Sequence, residues 1–249
     1  MTTIGAASVV ERYRAARADA GLVVLEGLHP LKHALRFGAE VVAVVSPNPK
    51  ALAQLAEAVA PDVAADIGDR VEVVDSDVFA DLAPVPPPTG VIAIAHRVSW
   101  TAGEILSQVE PSPVVVLENP SRLGNVGASI LVVAAAGAAG LVTLGPHDPW
   151  HPEAVRGAAG LQFAVPTAAA DALPETDRPI VAVDPSGTPL DEAVIPPRSV
   201  FVFGSERRGL SSALARRAEM SVGIPMEPGV SSLNLATSVA VVLYQARRS

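Results

Sequence analysis

The chain has 249 residues, 49% hydrophobic and 4% aromatic, with no cysteine and a formal charge of −8. Disulfides and cysteine-ligated zinc are excluded, and a reducing compartment, the cytoplasm, is expected. Cores of Ala, Val, Leu and Ile favour helices on parallel strands over an aromatic-rich β-sandwich, and the acidic balance speaks against a strongly basic nucleic-acid surface.

The opening MTTIGAASVVERYRAARADAG lacks a cationic start followed by an apolar core and does not read as a secretory signal. LVVLEG then reads as a strand, PLKHALRFG as a helix with Pro near its start and Gly after its end, and VVAVVS as a strand. KALAQLAEAVA carries apolar positions every three to four residues and predicts a helix. RVEVVD predicts a strand and SDVFADLA a short helix, before PVPPPTG, Pro84 to Gly90, interrupts the pattern. VIAIAH resumes as a strand, and after TAGEILSQVEPSP a second, longer series opens with VVVLE. Residues 1–110 are therefore expected to form a smaller α/β domain with its linker, and residues 111–249 a larger one.

In the second part LVTLG, FAVP, PIVAVD, SVFVFGSE and SVGIP read as strands, with helices beginning near Val126, Pro152, Ser211 and Ser232. The Ala-rich AAAGAAG and TAAADAL fit helices. The long apolar run Val126–Gly145 has membrane-like length, but its glycines, its alanines and the following PHDPW turn favour a buried helix and strand. Near-continuous apolar strands separated by helices indicate a mostly parallel sheet covered on both faces. Such sheets bind ligands beyond the carboxyl ends of their strands. ENPSRLGN, GSERRGL and PMEPGVSSLN all follow strands and are expected to share one site.

Charge is uneven: residues 1–110 carry 8 basic and 14 acidic side chains, residues 111–249 carry 10 and 12. Among the latter basic residues are the pairs Arg207–Arg208, Arg216–Arg217 and Arg247–Arg248, which read as solvated helix surface or as a local cationic face. No phosphate-cradling Gly-Lys-Ser/Thr loop, dinucleotide fingerprint or Gly-x-Ser-x-Gly elbow is present. His29 with His33, and His147 with His151, lack a carboxylate at zinc-protease spacing, so capping, turn and surface roles are expected and no metal. Taken singly, Ser232 and Asn234 read as caps of the last helix, and Gly204 and Gly209 as turn residues that let backbone approach a ligand.

ENPSRLGNVGA, then VFGSERRGL with IPM, then SSLNLATSVAVVLYQ together resemble the three motifs of the SpoU/TrmH family of RNA ribose 2′-O-methyltransferases, within the SPOUT superfamily. VLEGLHPLKHAL is similar to the start of the substrate-binding domain many members carry, and AVRGAAGLQFAVP to the segment between the first two motifs. The resemblance implies a trefoil-knotted α/β domain that binds S-adenosylmethionine, a homodimer, and an rRNA or tRNA substrate. Carried over by position, the backbone of Gly204, Ile224 and Leu233 holds the cofactor. Asn125, Glu206, Ser232 and Asn234 are the polar catalytic positions, and Arg122, Arg156 and Arg207 the RNA contacts. The chain departs from the pattern at Leu131, where the first motif normally has the Arg assigned to activating the 2′-hydroxyl, and at Ala158, where many members have Ser. Three alternatives follow: another cation such as Arg122 or Arg156 serves, the acceptor differs, or the chain holds cofactor or RNA without turnover.

Overall fold

A computed structural model describes residues 6–247. Arg248, and residues 1–5 of the N-terminal stretch, lie outside the described residues. By internal contacts the chain forms two units: one reaching Val98 and including Ala159–Phe163, the other made of Ser99–Ala158 and the chain from Ala164 onward.

The first unit runs α1 (Ala6–Ala18), β1 (Leu22–Glu26), α2 (Leu28–Arg36), β2 (Val41–Ser46), α3 (Pro49–Val59), α4 (Ala64–Arg70), β3 (Val71–Val73), α5 (Ser76–Ala80) and β4 (Ile92–His96). Its sheet has the order β1-β4-β2-β3, with β4 antiparallel to β1 and β2, and β3 parallel to β2. Val9, Tyr13 and Ala16 of α1 pack with Val24, Val45, Phe79 and Ile94 in one apolar cluster. Each such Val or Ile side chain contributes about 1.5–3 kcal/mol on burial. The Tyr13 hydroxyl donates to the Ile92 carbonyl (3.1 Å), so its polar end is satisfied inside that core.

The second unit runs α6 (Ala102–Leu106), β5 (Val114–Glu118), α7 (Leu123–Ala136), β6 (Gly140–Leu144), α8 (Pro152–Gly157), β7 (Thr167–Ala170), β8 (Ile180–Pro189), β9 (Val200–Phe203), α9 (Ser212–Arg217), β10 (Met220–Gly223) and α10 (Leu235–Ala246). Its six strands lie in the order β10-β8-β9-β5-β6-β7, and every neighbouring pair is parallel. This is the expected α/β class with a mostly parallel sheet. Ile105 and Leu106 of α6 and Leu214 of α9 cover one face with Val116, Val142, Val200 and Val202. Helix α7 packs against α8 and α10, with Val126, Ile130, Val133, Val239 and Val242 buried.

The long apolar run resolves into α7, a left-handed cap at Gly137 (φ 67°) and β6. The Gly137 and Ala138 N–H groups close onto Ala134 and Val133 carbonyls, a glycine stop that lets the chain turn back into the sheet. No helix among the described residues is long and apolar enough to cross a membrane.

Several elements differ from expectation. Thr167–Ala170 of TAAADAL is the edge strand β7, paired in register with β6, so sheet pairing overrides alanine's helix preference. The expected strand FAVP is instead the end of a 3-10 turn, Leu161–Phe163, and the approach to β7. TAGEILSQVEPSP contains α6, opened by a capping box between Thr101 and Glu104. Helices α1 and α4 are additional, and the last helix begins at Leu235, three residues beyond Ser232.

Candidate active site

Because all six strands of the second sheet point one way, the loops leaving β5, β9 and β10 emerge on the same edge. The loop after β9 is a tight turn. Ser205 and Gly209 exchange two backbone hydrogen bonds (3.1 and 2.9 Å), and the Arg208 N–H donates to the Ser205 hydroxyl (3.2 Å). Gly209 adopts φ +65° there, while a Cβ on Gly204 would fall on the backbone of Gly209 and Leu210. The turn is thus closed by two glycines for two different reasons.

Glu206, on this turn, ties the loops together. One carboxylate oxygen accepts the Ser121 N–H (2.8 Å) and the other the Asn125 side-chain amide (2.7 Å). Burial works against the charged form, but hydrogen bonds from its own backbone, from Ser121 and from Asn125 outweigh it and hold the carboxyl below its ordinary range. Asn125, in the first turn of α7, accepts a hydrogen bond from the Asn234 amide (3.0 Å). The Asn234 carbonyl oxygen in turn accepts the Ala236 N–H (2.9 Å) and caps α10. Three of the four residues expected at polar catalytic positions therefore form one chain. The fourth, Ser232, lies exposed in the loop before the cap and does not join it.

Beside this chain lies a cavity of about 270 Å³. Gly204, Ile224 and Leu233, the three residues expected at backbone cofactor positions, all line it, as do Ser232, Glu206 and Arg207. Arg122 precedes α7 and Arg156 lies in the last turn of α8, both exposed. Leu131 stands on α7 with 40% of its surface exposed. Gly127 of α7 meets α8 so closely that a Cβ would strike the Ala154 carbonyl and the Gly157 backbone, which fixes the helix carrying Asn125. Ala158 is fully buried at the end of α8.

Two histidines take structural roles. His151 caps α8 through the Glu153 N–H (3.2 Å). His33 Nδ1–H donates to the Ala159 carbonyl (2.6 Å) within the first unit, and burial pulls its pKa down. Sequence reasoning passed over Arg178, buried at 1% exposure, whose guanidinium donates to the carbonyls of Leu106, Gln108 and Ser112 (2.7, 2.6 and 2.7 Å) and pins the stretch between α6 and β5. Only its position before Pro179 and a strand marked it.

The sequence profile of the SpoU rRNA methylase family matches residues 112–244. The chain belongs to that family. An uncharacterised tRNA/rRNA methyltransferase of Synechocystis is 31% identical over 70% of this chain and 66% of its own length. The 23S rRNA (uridine(2479)-2′-O)-methyltransferase of Streptomyces viridochromogenes is 26% identical over 93% of this chain and 84% of its own. Among solved structures, the S-adenosylmethionine-bound rRNA methyltransferase of Sinorhizobium meliloti superposes with a TM-score of 0.76 at 27% identity, covering 99% of this chain and 97% of that one. In this SpoU chain both the turn around Glu206 and the Asn234 cap fall within the matched residues.

Proposed function

We propose that this chain transfers the methyl group of S-adenosylmethionine to a ribose 2′-hydroxyl of RNA, either rRNA or tRNA. The observation that carries the reading is the cavity at the strand ends, walled by the second and third family motifs and lashed to the first through Glu206, Asn125 and Asn234. The residues fit such a ligand. Gly204 leaves bare backbone, Ile224 and Leu233 offer apolar surface, and Ser232 offers a hydroxyl in a nucleoside-sized space. When bound, S-adenosylmethionine supplies a sulfonium methyl, so an oxygen–carbon bond forms as carbon–sulfur breaks, the electron pair stays on sulfur and the hydroxyl proton is released.

The chain's own work is positional and electrostatic. Asn125, Glu206 and Asn234 fix the three loops so that the reacting groups meet at short range. Glu206 is engaged by two donors and acts as the organiser of the turn rather than as a base. Ser232 is free to orient cofactor or acceptor. Arg122, Arg156 and Arg207 contact the RNA backbone as charge partners. The first unit grips RNA, and the stretch to residue 110 joins it to the methyltransferase part, residues 111–249. Family membership also brings the trefoil knot and a homodimer into this reading. Exposed Val241 and Tyr244 on α10, above a groove of about 780 Å³ that shares Ile224 with the cofactor cavity, support the dimer.

The test is incubation with labelled S-adenosylmethionine and total RNA, followed by mapping of 2′-O-methyl. Transfer to a defined nucleotide is expected. Cofactor binding without transfer, where another SpoU enzyme works, overturns the activity. Leu131 favours a second reading, a relative that holds cofactor or RNA without turnover, because leucine neither accepts a proton nor stabilises an oxyanion. That outcome of the same assay is its signature.

A further inference from the structure

If Leu131 leaves the first motif without its cation, the site needs another, and one side chain is placed for it. The charged residues lining the cofactor cavity are Asp184, Glu206 and Arg207. Both carboxylates are already engaged: Asp184 accepts the Ser186 N–H and hydroxyl, and Glu206 accepts Ser121 and Asn125. Arg207 is exposed and has no hydrogen-bond or ion-pair partner among the described residues.

A second cleft of about 590 Å³ adjoins the cavity, and Arg207 lines both. Its one carboxylate, Glu118, is occupied by the Ser211 N–H (2.7 Å), so the cleft presents Arg207, Arg208 and the hydroxyls of Ser121 and Ser212. Such a lining suits a nucleotide's phosphate and ribose oxygens. The Ser205–Gly209 turn fixes the backbone on either side of Arg207, a residue that lines both spaces where they adjoin.

We infer that Arg207 is the catalytic cation of this chain: it meets the acceptor nucleotide in the cleft and stabilises the negative charge that grows on the 2′-oxygen as the methyl is transferred. The guanidinium stays protonated throughout, so it stabilises charge and the hydroxyl proton passes to water. The inference rests on the proposed methyltransferase activity.

The experiment compares wild type, Arg207→Ala and Arg207→Lys in single-turnover transfer at saturating RNA, with calorimetry of S-adenosylmethionine binding. The Ala variant is expected to bind cofactor as wild type does and to transfer ~100-fold more slowly, as for loss of one oxyanion-stabilising donor. Lys should recover part of the rate, and added methylguanidinium part of the Ala deficit. An unchanged rate at saturating RNA, with or without a raised KM, overturns the catalytic assignment, as does loss of cofactor binding in the Ala variant. Absence of transfer by wild type overturns the activity itself and this inference with it, which separates the two failures.

Discussion

The Asn125 amide donates to Glu206 at 2.7 Å while its carbonyl accepts from Asn234 at 3.0 Å, so hydrogen bonding runs in one sense from the start of α10 to the Glu206 carboxylate. Each amide is thereby committed to one orientation, and the carboxylate is the sink. Asn125→Asp replaces the donor with a second carboxylate facing Glu206, and like charges at that range cannot both ionise freely. Loss of a hydrogen bond to a charged group on this exposed network should weaken S-adenosylmethionine binding ~10-fold at pH 8. Affinity should partly recover on lowering the pH towards 6, as the pair takes up a proton. Calorimetry at the two pH values checks both the loss and its recovery.

Glu206 sets an acid limit. Its folded pKa is depressed below the ordinary 4.5, so its contribution is full above that value and is lost only as the pH falls through the lower folded value. The Ser121 amide, which donates to it, reports this directly. Hydrogen exchange of Ser121 should stay protected from pH 8 down to 4.5 and open below it, beyond the intrinsic pH dependence of exchange. Glu206→Gln should be less protected at neutral pH and show no such acid step.

The two glycines of the β9 turn should respond differently. At Gly204 an added Cβ meets backbone of Gly209 and Leu210 that cannot yield, so Gly204→Ala should cost about 1–3 kcal/mol and abolish cofactor binding. At Gly209 the space is open and only the positive φ is strained, so Gly209→Ala should cost about 1–2 kcal/mol and keep measurable affinity. Thermal melting and calorimetry on the pair distinguish the mechanisms.

The α10 surface makes a prediction about assembly. Val241 is 38% and Tyr244 49% exposed, and the groove beneath them shares Ile224 with the cavity at the strand ends. Light scattering should give a dimer for wild type. Tyr244→Asp and Val241→Asp should shift it to monomer and weaken cofactor binding together. A monomeric wild type at tens of micromolar refutes the dimer.

Much of this was legible in sequence because buried strands are uninterrupted runs rich in β-branched residues. Val41–Ser46, in the mixed first sheet, and Val114–Glu118, in the parallel second, are bounded as the sequence predicts. The common direction of the second sheet's strands is what lets three separate polar turns be assigned to one edge. Short elements were harder. The Thr101–Glu104 capping box was a readable sign of α6, whereas TAAA is a strand only because β6 lies beside it. Within the site, Asn125, Glu206 and Asn234 could be picked out, but not the sense of their hydrogen bonds, which depends on side-chain orientation across 109 and 81 residues of chain. Arg178 was invisible because its three partners are backbone carbonyls, which carry no sequence signature.

Leu131 is the position where sequence and structure together allow a decisive substitution. It lies on α7 with 40% of its surface exposed, so an arginine there enters no sealed core and should change stability by no more than about 0.5 kcal/mol. Leu131→Arg therefore reports on chemistry rather than on folding. If the first motif's cation is all that the site lacks, the variant should transfer methyl faster than wild type, with S-adenosylmethionine affinity unchanged. If Arg207 already supplies the charge, the gain should be small in the wild-type background and large in Arg207→Ala, where the new arginine has a deficit to fill. A rate that is unmoved in both backgrounds would show that no cation at position 131 reaches the reacting oxygen in this chain.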